Sequence, residues 1–213
     1  MNLGQLRASF RNKSNDLKKP YLFANNEVDG YINEAYVESV DRGLVIYDRE
    51  SFTVDVEIGV TEYQLDKRII RVRSATVVMK DGVVVSPPEP MVLESIQVGR
   101  IGSPNGFHID EDGMFVLSES PTSTATIQIG AHRYPDLLEE DGDEPAIAAM
   151  YHEKMLAWAL KLAYLKADAE TFSQNSSDRF DAEFTRTFGP SKTAQQHRQR
   201  ARLSPRSIKT QGY

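Results

Sequence analysis

The chain has no cysteine in 213 residues. Disulfides and thiolate metal sites are therefore excluded, a pattern that suits a reducing compartment. Long apolar runs are also missing. The opening, "MNLGQLRASFRNKSNDLKK", holds no stretch fit for a signal peptide. The longest apolar-rich stretch, "MLAWALKLAYL", carries a lysine and is too short to span a bilayer. The expectation is a soluble protein made inside the cell, with the Asn-x-Ser patterns at Asn12 and Asn175 read as chance. Only four histidines occur, scattered at 108, 132, 152 and 197, so no nucleophile–base pair stands out. Carboxylates are plentiful but none sits in a context distinguishable from surface, and catalysis is not expected.

A further lack is local. After Glu183 no carboxylate side chain occurs, while Arg186, Lys192, Arg198, Arg200, Arg202, Arg206 and Lys209 are all cationic. Taking those seven from 25 Lys and Arg leaves 18 basic against 31 acidic side chains. An acidic body of net charge −13 thus carries a basic tail, although the whole chain is only −6.

What is present divides by hydrophobic period. "NLGQLRASF" places Leu3, Leu6 and Phe10 on one helical stripe, closed by "RNKSND". A second helix is expected to open at Asn25 or Asn26 as N-cap, burying Val28, Tyr31, Ile32, Ala35, Tyr36, Val40 and Leu44 and wetting Glu34, Glu38 and Asp41. Gly30 lies inside it at a cost of roughly 1 kcal/mol against alanine. From residue 51 the period becomes two. Phe52, Val54, Val56 and Ile58 alternate with polar residues; "RIIRVRSATVVMK" and "VVVS" flank Asp81-Gly82 as a hairpin; "PPEP" breaks the sheet; "GMFVLSE" and "STATIQIGA" are two more strands parted by Ser120-Pro121. After the acidic run 136–144, Pro145 is placed in the first turn of a long helix with a stripe of Ile147, Met150, Tyr151, Met155, Trp158, Leu162 and Leu165. Flanking alanines imply close neighbours on more than one side. A last helix carries Phe172, Phe180, Phe184 and Phe188 at multiples of four, a core stripe rather than a base-stacking platform, and Gly189-Pro190 stops it.

The expected fold is α+β. Residues 1–50 and 145–189 form a helical bundle from the two ends of the chain, 51–134 is an inserted antiparallel β-rich region, and 190–213 is a basic tail, disordered when free.

Several motifs fail. His152-Glu153 begins H-E-x-x-H, but Leu156 stands at the second histidine position, so both are expected on a helix surface. "HIDEDG" lacks the alternate ligands of a calcium loop and reads as a turn. "GRIGSPNG" has neither a phosphate-loop lysine nor a dinucleotide fingerprint. The pair of helices 145–188 resembles one tetratricopeptide unit, with no second copy to stack on.

The order of elements is more informative. "YLFANNEVDGYINEAYVESVDRG", with Tyr31, Ile32, Asn33, Glu34, Ala35 and Glu38, is followed by "VTEYQLDKRIIRVRSATV" with Tyr63 and Leu65 before the strand Ile69–Val72. Then come "GSPNGFHIDEDGMFVLSESPTSTATIQIGAHRYP" and "MYHEKMLAWALKLAYLKADAETF" with Trp158, Tyr164 and Asp168, then Phe184 and Phe188. Over about 20–190 this series resembles the head–tail adaptor proteins of tailed bacteriophages, also called connector, head-completion or gateway proteins. Asp66 stands where that pattern tends to have proline, and the tail beyond Gly189 matches no pattern. The resemblance implies a structural virion protein without catalysis or cofactor, made in the host cytoplasm and assembled at the head–tail junction. Such proteins dock as a ring, typically of twelve copies, beneath the portal, extend the DNA channel and link to the next neck or tail component. The genome passes through without sequence-specific binding.

On that reading the tail is a candidate portal-binding segment. Arg198, Arg200, Arg202, Arg206 and Lys209 would pair with carboxylates, and Ile208 and Tyr213 would serve as small apolar anchors. Two alternatives stay open: the tail binds DNA non-specifically, as in an accessory DNA-binding protein, or it is solvated and has no partner. The run Asp136, Glu139, Glu140, Asp141, Asp143 and Glu144 is either a channel-lining ring of carboxylates or a solvated loop.

Overall fold

In a computed structural model the structure describes residues 1–78, 84–85, 89–90, 101–102, 106–110, 113–166 and 172–193. The architecture is α+β, with two compact units. The first joins Met1–Ile46 to Tyr134–Ser191 and holds all four α-helices described. The second contains Tyr47–Arg133 and holds the strands.

Helix α1 (Leu3–Ser14) begins with a reciprocal cap. Asn2 Oδ1 accepts from the Gln5 amide and Gln5 Oε1 accepts from the Asn2 amide, satisfying two amides that helix geometry leaves open. Leu3, Leu6 and Phe10 are buried as their spacing predicts. Helix α2 (Asn25–Gly43) starts at the expected place but with a different cap. Ala24, whose methyl group cannot accept a bond, is the N-cap, and Asn25 Oδ1 instead accepts from Arg11 Nη2 at 2.8 Å. Val28, Ile32, Ala35, Tyr36 and Val40 are buried, whereas Tyr31 and Leu44 are half-buried. Gly30 faces open space, so the helix is held by its opposite, apolar face.

The third helix differs most from its expected form. Pro145 opens no helix: a 3-10 turn spans Ala149–Tyr151, and α3 runs His152–Leu165. The segment before it is held against α2, the Ala146 amide donating to Tyr36 Oη at 2.6 Å. Met150 is 63% exposed and Leu165 38%, while Leu156 and Leu160 join Met155 in the core with Ala157, Ala159 and Ala163. The reason is that α3 packs on α1, α2 and α4 at once, so its buried arc is wider than one stripe. The alanines allow those close approaches. Helix α4 (Gln174–Phe188) is capped by Ser173, whose Oγ accepts from the Ser176 amide, and it stops at Gly189 with φ +93°. It runs antiparallel to α3 through ring pairs Tyr164–Phe180, Trp158–Phe184 and Tyr151–Phe188, with centroids 5.7, 5.1 and 5.6 Å apart. Three of the four phenylalanines are core; Phe172 precedes the helix and is exposed.

In the second unit, β1 (Tyr47–Val56), β10 (Ala125–Arg133), β3 (Ile69–Val78) and β4 (Val84–Val85) form an antiparallel sheet in that order. The expected β3–β4 pairing is present; its turn, Asp81-Gly82, lies outside the described residues. A second sheet has the order β2 (Glu62–Gln64), β8 (Met114–Leu117), β7 (Gly106–Ile109), β5 (Glu89–Pro90). "PPEP" therefore does not simply break the sheet: Glu89–Pro90 pairs parallel to β7 at an edge, where a missing proline N–H is tolerated. Ser120–Pro121 (β9) likewise pairs with Ile101–Gly102 (β6) rather than only separating strands. "HIDEDG" ends in a turn, with Gly113 at φ +81° and Asp110 Oδ1 accepting from the Met114 amide. The core comprises Phe52, Val54, Val56, Leu65, Val72, Phe107, Phe115, Leu117, Ile127 and Ile129, with Phe107 and Phe115 stacked at 4.9 Å. Ile58, expected to continue the alternation of β1, lies past its end and is 64% exposed.

Strand β1 starts earlier than its alternation suggests, through a bulge between Asp48 and Phe52. Asp48 builds that bulge, accepting from the amides of Ser51 and Glu50 and from Arg133 Nε, each at 3.0 Å. The Ser51 amide is the largest cause holding this carboxyl well below the usual range; burial opposes it, and Glu50 and Arg133 add to the lowering. Because the folded-state value lies below the unfolded one, the contribution to stability is complete above about pH 4 and is lost as pH falls further. Asp48→Asn is expected to destabilise the protein at pH 7 by about 1–3 kcal/mol and to lose less than the wild type between about pH 5 and 2. Urea denaturation at a series of pH values checks both, and parallel acid limbs would exclude the assignment.

Candidate interaction surfaces

Among the described residues no group of three or more His, Cys, Asp or Glu could hold a metal ion. The features that invite a role are surfaces, and the acidic run is the first. It is a loop tied down at several points, a strap. Asn33 grips Leu138 through both amide atoms, Nδ2 donating to the Leu138 carbonyl at 2.9 Å and Oδ1 accepting from its amide at 2.8 Å. Leu138 and Ile147 are buried at either end. The carbonyls of Asp143 and Asp141 accept from the Leu3 and Gly4 amides, so the strap also tethers the start of α1. Asp143 turns inward, its Oδ2 accepting from the Glu140 and Glu139 amides, and these bonds lower its pKa. Arg7 bridges Asp29 of α2, at 2.8 Å, and Asp141, at 2.9 Å. Asp136, Glu139, Glu140, Asp141 and Glu144 remain exposed. The six predicted carboxylates thus lie on one strap but do different work: Asp141, though exposed, and Asp143 tie the strap down, while Asp136, Glu139, Glu140 and Glu144 define an acidic rim.

His152, expected on the surface, is buried at 4% exposure. Its Nδ1 lies 2.7 Å from the Met1 amino nitrogen and its Nε2 3.0 Å from the Ile147 carbonyl oxygen. It fastens the chain start to α3, a contact 151 residues apart that no local pattern could signal. Glu153 is exposed as expected and takes a long contact from Lys13 at 3.5 Å.

Residues 15–24 make a second surface. Asp16, buried, forms an ion pair with Arg11 and accepts from the Leu22 and Phe23 amides, while Arg11 Nη2 donates to the Phe23 carbonyl. That knot holds the loop base closed and leaves Leu17, Tyr21 and Leu22 at its rim, 57%, 39% and 43% exposed, beside Lys18 and Lys19. Nearby, Lys166 and Tyr31 both donate to Glu27 Oε1, at 2.8 and 2.9 Å. Burial opposes ionisation of Glu27, but the bonds from Lys166 and Tyr31 outweigh it and lower its pKa.

The third surface is the root of the tail. Arg42 is 6% exposed, bonds Glu38 at 2.6 Å, lies over the rings of Trp158 and Phe184, and donates to Thr185 Oγ1 and the Gly189 carbonyl. Sequence reasoning missed it, although its i,i+4 relation to Glu38 is a visible signal. Arg198, Arg200, Arg202, Arg206, Ile208, Lys209 and Tyr213 lie outside the described residues.

Comparison with known proteins adds one match. A family model described as SU10 adaptor protein matches residues 1–208. No curated protein sequence matches the chain. The match runs beyond the region of resemblance read from sequence and takes in most of the basic tail.

Proposed function

The chain belongs to the SU10 adaptor protein family, a family of phage adaptors, and on that premise we propose that it is a structural virion protein docking as a ring beneath the portal. In this reading it extends the DNA channel, links the portal to the next neck or tail component, and performs no catalysis. The observation that carries the reading is the extent of the family match, because it spans both compact units and continues to residue 208. The helices from the two chain ends form the bundle that carries the ring, and the β-rich insertion and the tail are its appendages. The tail contacts the portal through Arg198, Arg200, Arg202, Arg206 and Lys209, and orders on binding. Support for a directed tail comes from its root: Arg42 fixes the carbonyl of Gly189, so the segment leaves from a set point. Neighbouring copies would cover the Leu17, Tyr21 and Leu22 rim. Ring symmetry repeats each modest contact and raises avidity.

The test is reconstitution on the cognate portal, with and without residues 190–213, counted by electron microscopy. A symmetric ring with the full chain, lost on truncation, is the expected result. No association in either form would overturn the adaptor reading, and a ring that survives truncation would remove the tail from it.

A further inference from the structure

The β1–β10–β3 sheet carries a cleft that the adaptor reading does not use. Tyr47, Arg49, Arg73 and His132 line it, around a cavity of about 350 Å³. Arg49 and Arg73 are both exposed, and neither has a carboxylate partner among the described residues. The nearby carboxylate of Asp48 is engaged with Arg133 and two backbone amides. In a chain whose body is strongly acidic, two such guanidiniums flanking an aromatic pair form an unusual positive spot. The Tyr47 and His132 rings lie 5.3 Å apart, and the Arg49 guanidinium is 5.2 Å from the Tyr47 ring centroid.

A second, independent observation shows that the cleft is built. Gly130 sits within strand β10, where glycine weakens a sheet unless something must approach closely. A Cβ there would lie 2.3 Å from Ser74 Oγ and 2.6 Å from Tyr47 Oη. The absent side chain lets Tyr47 lie across β10 and meet Ser74, hydroxyl to hydroxyl at 3.3 Å. The ring is thereby set between the two arginine-bearing strands.

We propose that this cleft contacts the phosphate backbone of DNA. The arginines stand on β1 and β3, on either side of β10, so their strands are about 9–10 Å apart. A polyanion with a phosphate about every 3.4 Å of axis on each strand reaches both. Arginine forks bind phosphate oxygens in a bidentate manner, and the exposed face of Tyr47 offers apolar contact to a sugar or base. No base-edge reading is implied; the contact is sequence-independent. The inference needs neither the ring nor the portal, and it places DNA contact on the sheet rather than on the tail.

Fluorescence anisotropy with a labelled mixed-sequence duplex, titrated into the full chain over a range of salt, tests it. Arg49→Ala with Arg73→Ala is expected to weaken binding ~10-fold at low salt and to reduce the log–log salt slope by about 2. Arg49→Lys with Arg73→Lys should keep the slope. Gly130→Ala should weaken binding while leaving the slope unchanged, since it moves Tyr47 and removes no charge. Unaltered affinity and slope in the double alanine variant would overturn the proposal. So would loss of all binding in a variant lacking Arg198, Arg200 and Arg202 but retaining the cleft. Competition by polyglutamate as strong as by unlabelled duplex would overturn the assignment to DNA in favour of an acidic protein segment. The double alanine variant should still assemble on the portal, so failure of this inference and failure of the adaptor reading are separable.

Discussion

Replacing Asp16 with alanine is expected to lower the stability of the helical unit by about 3–5 kcal/mol. The side chains of Arg11 and Asp16 are only 8% and 4% exposed. Removing the carboxylate leaves the guanidinium buried without its counter-charge. It also strips the Leu22 and Phe23 amides of their acceptor. Two mechanisms therefore add, an uncompensated charge and two unsatisfied donors. Thermal denaturation followed by circular dichroism gives the magnitude. Hydrogen exchange at Leu22 and Phe23 gives the location, and faster exchange there than in α3 is expected. The double variant Arg11→Met with Asp16→Leu separates the causes. Removing both charges should restore part of the loss, but not the part that belongs to the two amides. A double variant as stable as the wild type would show that the carboxylate's backbone role is negligible.

Phe184→Ala is expected to cost about 3–5 kcal/mol, through lost burial and the cavity left behind. Phe184 is fully buried, 5.1 Å from Trp158 and 4.7 Å from Phe188 between ring centroids, with the Arg42 guanidinium 5.2 Å over its ring. The same truncation removes the surface that seats Arg42, which holds Gly189 at the end of α4. The stability loss should therefore come with loosening of the tail root, read as increased proteolysis near Gly189. Phe184→Leu, which keeps most of the volume, should lose less than half as much. Equal losses for the two substitutions would mean that ring contacts rather than volume hold the α3–α4 pair.

The α+β class, the strands of the β1–β10–β3–β4 sheet, the stop of α4 at Gly189 and the buried rows Leu3–Leu6–Phe10 and Phe180–Phe184–Phe188 were legible because each follows from a pattern within a few residues, whereas α1 runs on to Ser14 through the expected turn formers and α4 begins only at Gln174. Periods of 3.6 and 2 are local properties of the backbone. The family was legible in the order of elements, and the family match extends it through most of the tail. What failed shares one cause. His152 looked like a helix-surface residue and Pro145 like a helix start. Their actual roles depend on Met1 and Tyr36, both far away along the chain, as do the tethers of the acidic loop to Asn33 and the α1 amides.

By itself, then, the sequence determined where helices and strands arise, which faces are apolar, and how charge divides between an acidic body and a basic tail. Only the tertiary structure decided which polar groups are structural. A buried ion or amide must find its partner somewhere, and burial removes the water that would otherwise serve. The partners of Asp16, Arg42, His152 and Asp143 are chosen by folding, and so is the bringing of Arg49 and Arg73 to one cleft. Two arginines that composition counts like any others become a cleft because strand pairing sets them on either side of β10, where Gly130 leaves room for the Tyr47 ring.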